Sequence, residues 1–118
     1  MVSARVTLAV ILALGAAAAH AQAVKVVGIG SSSCRRFQED IIERPIIERD
    51  YFAWAQGFMS GALIRAPQGV DEELDLNPPD FPLRNQADFL RAFCLSHPDQ
   101  DYLDAARALY RRMRKPGT

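Results

Sequence analysis

The chain has 118 residues, enough for one domain and not two. Its 14 basic and 14 acidic side chains cancel, which argues against nucleic acid as the main partner, because binding a phosphate backbone needs a basic excess.

The chain opens with the pattern of a cleavable export signal. Arg5 supplies a basic start, Val6 to Ala19 is an almost unbroken apolar run, and Ala19-His20-Ala21 gives the small-x-small step that a signal peptidase needs. The run is short and wrongly flanked for a transmembrane helix. Cleavage after Ala21 removes Arg5 and His20 and leaves 97 residues with a formal net charge of −1. Neither cysteine, Cys34 or Cys94, sits in a lipobox or in a C-x-x-C motif. In an oxidising exported compartment they have one intramolecular pairing; the alternative is two buried free thiols. Closing a loop of sixty positions is worth about 4 kcal/mol on the chain-entropy model. That term matters in a domain too small for a large core.

Residues 22–33 read as an arm. Val24 to Gly30 is β-branched and predicts an extended segment or a single edge strand, and Ser31-Ser32-Ser33 offers N-cap oxygens. The first helix is predicted from Ser33 or Cys34 to Arg44, with Phe37, Ile41 and Ile42 on one face, and Pro45 stops or bends it. The second spans Ile46 to Ala66. Tyr51, Trp54, Phe58 and Ala62 make one apolar stripe, and Phe52, Ala55, Met59 and Leu63 a second, which predicts the buried centre of the bundle. Residues 67–83 hold four prolines and a run of acids, the pattern of a long loop. A third helix follows from Pro82 or Asn85 to Leu95, with Phe89, Leu90, Phe93 and Cys94 on its inner face. Ser96-His97-Pro98-Asp99 breaks it. The fourth, from Asp99 to Arg114, carries Tyr102, Ala106, Leu109 and Met113 at helical spacing. The fold class is therefore all-α: a small orthogonal or irregular four-helix bundle over 34–115, with one disulfide and an extended N-terminal arm. The core is expected from Tyr51, Trp54, Phe58, Phe89, Phe93 and Leu109.

No residue set earns a catalytic, cofactor or metal assignment. Gly57 and Gly61 form G-x-x-x-G, readable as a dimer face or as close packing inside the bundle, and packing is the expectation because Trp54 and Phe58 beside them need burial. Gly28-Ile29-Gly30-Ser31-Ser32-Ser33 resembles a phosphate loop only superficially, lacking the Gly-Lys-Ser/Thr ending and the βαβ setting. His97, the one histidine left after cleavage, sits among Ser96, Pro98 and Asp99, which turn and cap chemistry explains better than a triad. Asp71, Glu73 and Asp75 alternate like a calcium loop, but Leu76 stands where the glycine belongs and no glutamate follows at the twelfth position. Loop carboxylates could serve a glycosidase, though no sugar cleft is visible in so short a chain.

Charge is segregated. Asp71, Glu72, Glu73, Asp75 and Asp80 lie in a stretch with no base, while Arg107, Arg111, Arg112, Arg114 and Lys115 crowd the last helix. Two readings stand: solvated surfaces that attract each other, or an acidic, proline-stiffened loop presented to a basic pocket of a partner. Asp71, Glu72, Glu73 and Asp75 are the candidate partner-binding residues.

The run Tyr51-Phe52-Ala53-Trp54-Ala55-Gln56-Gly57-Phe58-Met59-Ser60-Gly61, followed by Phe93-Cys94-Leu95-Ser96-His97-Pro98, resembles a broad group of small periplasmic helical proteins. The group includes immunity proteins of the Tai kind, which bind and block peptidoglycan amidase effectors, and HdeA-like acid-stress chaperones. The resemblance covers residues 34–113 and rests on the W-x-x-G-x-x-x-G core and the C-x-x-x-P step; loop 67–83 has no residue-by-residue match. It implies a fold, a disulfide and a non-enzymatic character. The expected function is an exported protein-binding domain, with immunity-type inhibition of a cell-wall enzyme as its specific form. One alternative is an acid-stress chaperone, since neutralising fourteen carboxylates takes the formal charge from −1 to about +14 with His97 protonated. The other is a small cell-wall hydrolase. A homodimer is a further expectation, and stable membrane insertion after cleavage is not.

Overall fold

The computed structural model describes residues 24–114, so the export-signal pattern and Lys115 lie outside the described residues. Four helices follow one another: α1 (Cys34–Glu43), α2 (Glu48–Ile64), α3 (Leu83–Ser96) and α4 (Tyr102–Met113). The described residues contain no strand; one isolated bridge pairs Ser33 with Asp101.

Local chemistry sets the helix ends. Ser33 is extended and its side chain accepts the Arg36 N–H at 3.1 Å, capping α1. Arg44 leaves the helical region before Pro45, and Pro45–Ile47 forms a short 3-10 turn. The second helix therefore starts at Glu48, two residues later than the sequence pattern predicts, because Pro45 cannot continue α1 and fixes a tight corner instead. Glu48 and Asp50 then place negative charge on the first turn of α2. The fourth helix starts at Tyr102 rather than Asp99. Asp101 caps it, and its N–H donates to the Asp104 carboxylate at 3.0 Å.

The Cys34–Cys94 disulfide joins the start of α1 to the end of α3, with Cα atoms 4.7 Å apart. The same corner satisfies helix-start donors that have no intrahelical partner. Cys34 N–H donates to Gln100 O at 2.7 Å, Arg35 N–H to Pro98 O at 3.2 Å, and Tyr102 N–H to Ser32 O at 2.9 Å.

The centre of the core is an aromatic trio. Phe37, Tyr51 and Tyr102 meet with ring centroids 4.8, 4.9 and 5.0 Å apart, inclined to one another rather than sandwiched. Tyr51 donates its hydroxyl to Asp40 at 2.6 Å, and Asp40 is also held by Arg36 at 2.9 Å. Burial first, then the Asp40 hydrogen bond, pushes the Tyr51 phenol up from its ordinary value. Burial raises the Tyr102 phenol much further.

The most buried helix is α4 and not α2. Six α4 residues are buried, Tyr102, Leu103, Ala105, Ala106, Leu109 and Met113, against three in α2, Tyr51, Ala55 and Met59. Ala105 and Ala106 explain the exchange: with a single methyl each, they let neighbouring elements close directly onto the α4 backbone. Of the expected core, Tyr51 and Leu109 are fully buried, while Trp54, Phe58, Phe89 and Phe93 pack on the core from its margin. The buried line of α2, Tyr51, Ala55 and Met59, draws on both stripes, and the other members of each stripe are half-buried.

The arm does not form an edge strand. After residues 24–27 the chain turns through Gly28 (φ 90°) into a 3-10 turn at Ile29–Ser31 laid flat on Trp54. Trp54 Nε1 donates to Val27 O at 3.1 Å. A Cβ on Gly30 would stand 2.2 Å from the indole ring, so only glycine lets the backbone lie this close. The glycines that superficially suggest a phosphate loop are the seat of a tryptophan.

Candidate functional site

The acidic loop is an ordered strap. It leaves α2 at Arg65, crosses the flank of the bundle, and enters α3 after Pro82. Three side chains from α4 and its C-terminal cap hold it. Asp71, at φ 59°, turns its carboxylate inward to accept the Tyr110 hydroxyl at 2.9 Å and Arg114 Nε at 2.8 Å. A positive φ is uncommon outside glycine, and aspartate is among the residues that tolerate it. Ten residues on, the Arg112 guanidinium lies 4.6 Å over the centroid of the Phe81 ring. From the other side, Gln86, wholly buried on α3, donates its amide to Leu76 O at 3.0 Å and Phe81 O at 3.1 Å.

These contacts sort the candidate acids. Arg114 first, and Tyr110 after it, hold the Asp71 carboxyl below the usual carboxylate range. The Tyr110 phenol is raised, by burial and then by Asp71. Asp71 thus fastens the strap to the C-terminal end of α4. Glu72 accepts the Gly69 N–H at 2.7 Å and Asp75 accepts the Asn77 N–H at 2.8 Å, both turn-forming bonds that leave carboxylate oxygens at the surface. Glu73 is exposed. Among the described residues no cation pairs with Glu72, Glu73, Asp75 or Asp80. The attraction between acidic loop and basic helix is made by Asp71, and Glu72, Glu73, Asp75 and Asp80 are exposed.

Between the strap and α2 runs a groove of about 330 Å³. Its apolar floor is Met59, Leu76 and Leu83; its polar rim is Gln56, Ser60, Asp75 and Asn77. Gln86 fixes the groove wall by holding Leu76 O. Next to it on α2 lie Gly57 and Gly61, and a Cβ at either position would meet nothing within 4 Å. The expectation that these glycines pack inside the bundle is overturned: Trp54 is covered by the arm and by Tyr102 of α4, Phe58 stacks on Trp54, and the glycine side of α2 stays open. Ile64, one turn beyond Gly61 (Gly61 + 3), is 82% exposed on the same side.

The remaining candidates have structural roles. His97 ends α3 with its ring stacked on Phe93 at 4.3 Å and Nδ1 2.9 Å from Phe93 O. Asp99 reaches back to Arg35 at 3.0 Å across an exposed surface. Among the described residues, no group of three or more His, Cys, Asp or Glu side chains could hold a metal ion, and no helix is long and apolar enough to cross a membrane.

Sequence reasoning missed Gln86, whose only signal is a polar residue on an otherwise apolar helix face, and Tyr110, hidden within a helical stripe. No family model, curated protein or solved structure matches this chain.

Proposed function

We propose that this chain is an exported, non-enzymatic protein-binding domain that engages its partner through the acidic strap and the adjoining open side of α2, with immunity-type inhibition of a cell-wall enzyme as its specific form. The observation that carries this reading is the fastening of the strap. Asp71, Phe81 and Gln86 hold a proline-rich loop in one conformation from both sides while Glu72, Glu73, Asp75 and Asp80 face outward without a described cation. A surface ordered in advance loses little conformational entropy on association, and outward charge steers an oppositely charged partner toward it. The disulfide and the leader pattern support export, since such bonds persist in oxidising compartments.

The test is capture of partners by the oxidised domain (residues 22–118) from a periplasmic extract at about pH 7 and again at about pH 3, where carboxylates are neutral. One dominant partner at neutral pH, weakened when Glu72, Glu73 and Asp75 become amides, is the expected result. Many clients in acid and none at neutral pH would replace this reading with the chaperone alternative.

A further inference from the structure

The groove between α2 and the strap has a chemistry that selects its occupant. Its volume, about 330 Å³, lies at the small end of ligand sites and suits one long side chain better than a cofactor. Met59, Leu76 and Leu83 line an apolar floor, matched to a methylene stem. Three rim residues have side chains able to accept a hydrogen bond, Gln56, Ser60 and Asp75, and only Asp75 carries a charge. Asp75 commits one oxygen to the Asn77 N–H, keeps the other, and has no cation partner among the described residues. Apolar floor, several acceptors and one uncompensated negative charge complement a side chain with an apolar stem and a cationic head rich in donors. The bare backbone of Gly57 and Gly61 beside the groove lets the chain that carries such a side chain come close to α2.

We propose that this groove receives an arginine side chain projected by the protein partner, with Asp75 as its counter-charge and Met59, Leu76 and Leu83 around its stem. The proposal rests on the protein-binding reading above and names the chemistry of the contact. Arginine matches because its planar fork presents five donors to acceptors on two walls.

The probe is the capped tripeptide glycyl-arginyl-glycine, titrated into the oxidised domain carrying nitrogen-15, with the citrulline tripeptide, which has the same shape and no charge, as control. The expected result is a saturable set of amide shifts centred on Ser60, Asp75 and Asn77. Two variants should weaken it about tenfold. Asp75→Asn removes the charge and keeps an acceptor for the Asn77 N–H; Ser60→Leu fills the groove from an exposed helix position. Both should retain the wild-type near-ultraviolet circular dichroism. No saturable shifts up to about 20 mM, equal binding of the citrulline peptide, or shifts unchanged in both variants would overturn the proposal. Partner capture separates the two levels: a partner held equally by wild type and Asp75→Asn, with no arginine-dependent shifts, removes the groove and leaves the protein-binding reading standing.

Discussion

Of helices α2 and α4, α2 is the more apolar in sequence, yet α4 is the more buried in the fold. The alanines of α4 bring neighbours onto its backbone, and six of its residues are buried. Helix α2 has larger aromatics and buries three residues. Its Trp54 and Phe58 stack in parallel on the flank with centroids 5.8 Å apart, while its glycines face open space. A small residue therefore does opposite things in the two helices. Alanine in α4 draws the fold together; glycine in α2 keeps a side of the fold clear. Burial follows what can approach a helix, not only how apolar its own residues are.

The largest effect that would break this contrast is in α4. Leu109→Ala removes a fully buried side chain and should cost about 3 kcal/mol, whereas Ile64→Ala on the open end of α2 should cost under about 0.5 kcal/mol. Urea denaturation of the two variants measures both, and equal losses would erase the distinction. Next comes the arm. Gly30→Ala drives a methyl into the Trp54 ring and should cost about 2 kcal/mol, with a red shift of indole fluorescence as the turn lifts off. Fluorescence unchanged from wild type would mean that the arm does not seat the flank. Smaller, and of opposite sign, is Gly57→Ala. It should raise stability by about 0.8 kcal/mol, because alanine is the better helix former and no contact is lost. A destabilised variant would show that something does cover the open side.

The smallest effect is the pH dependence of the strap. The Arg114 pair and the Tyr110 hydrogen bond lower the Asp71 pKa in the folded domain, so folding favours the ionised form. That stability is present above the unfolded carboxylate value and is lost as pH falls through the lower folded value. Asp71→Asn should flatten this acid limb, read as midpoint against pH, and leave the neutral-pH core signal of Tyr51 and Tyr102 intact.

What was legible in the sequence was local. Ser33 as a cap, Pro45 as a stop, the loop after Pro67 and a bundle tied by two cysteines all follow from neighbours in the chain or from the one pairing open to two cysteines. What was not legible depends on pairings across the fold. Nothing near Gly30 announces Trp54, and nothing near Asp71 announces Arg114, 43 positions away. The G-x-x-x-G spacing is identical whether a helix packs on it or solvent does, so the pattern could not decide. The acids of the strap were found as a group by composition, but only the geometry separates Asp71, which fastens, from Asp75, which faces the groove.

The disulfide also reshapes the order in which the molecule can assemble. Cys34–Cys94 closes a ring that contains α1, α2, the strap and α3, and leaves the arm and α4 as two tails from one covalent point. Ser32 and Tyr102, which bond each other at 2.9 Å, are distant along the reduced chain. Through the sulfur bridge the path shortens to the two steps from Ser32 to Cys34 and the eight from Cys94 to Tyr102. Once the bridge forms, α4 meets the arm by a short-range search, so oxidation turns a contact between distant parts of the chain into a nearly local one.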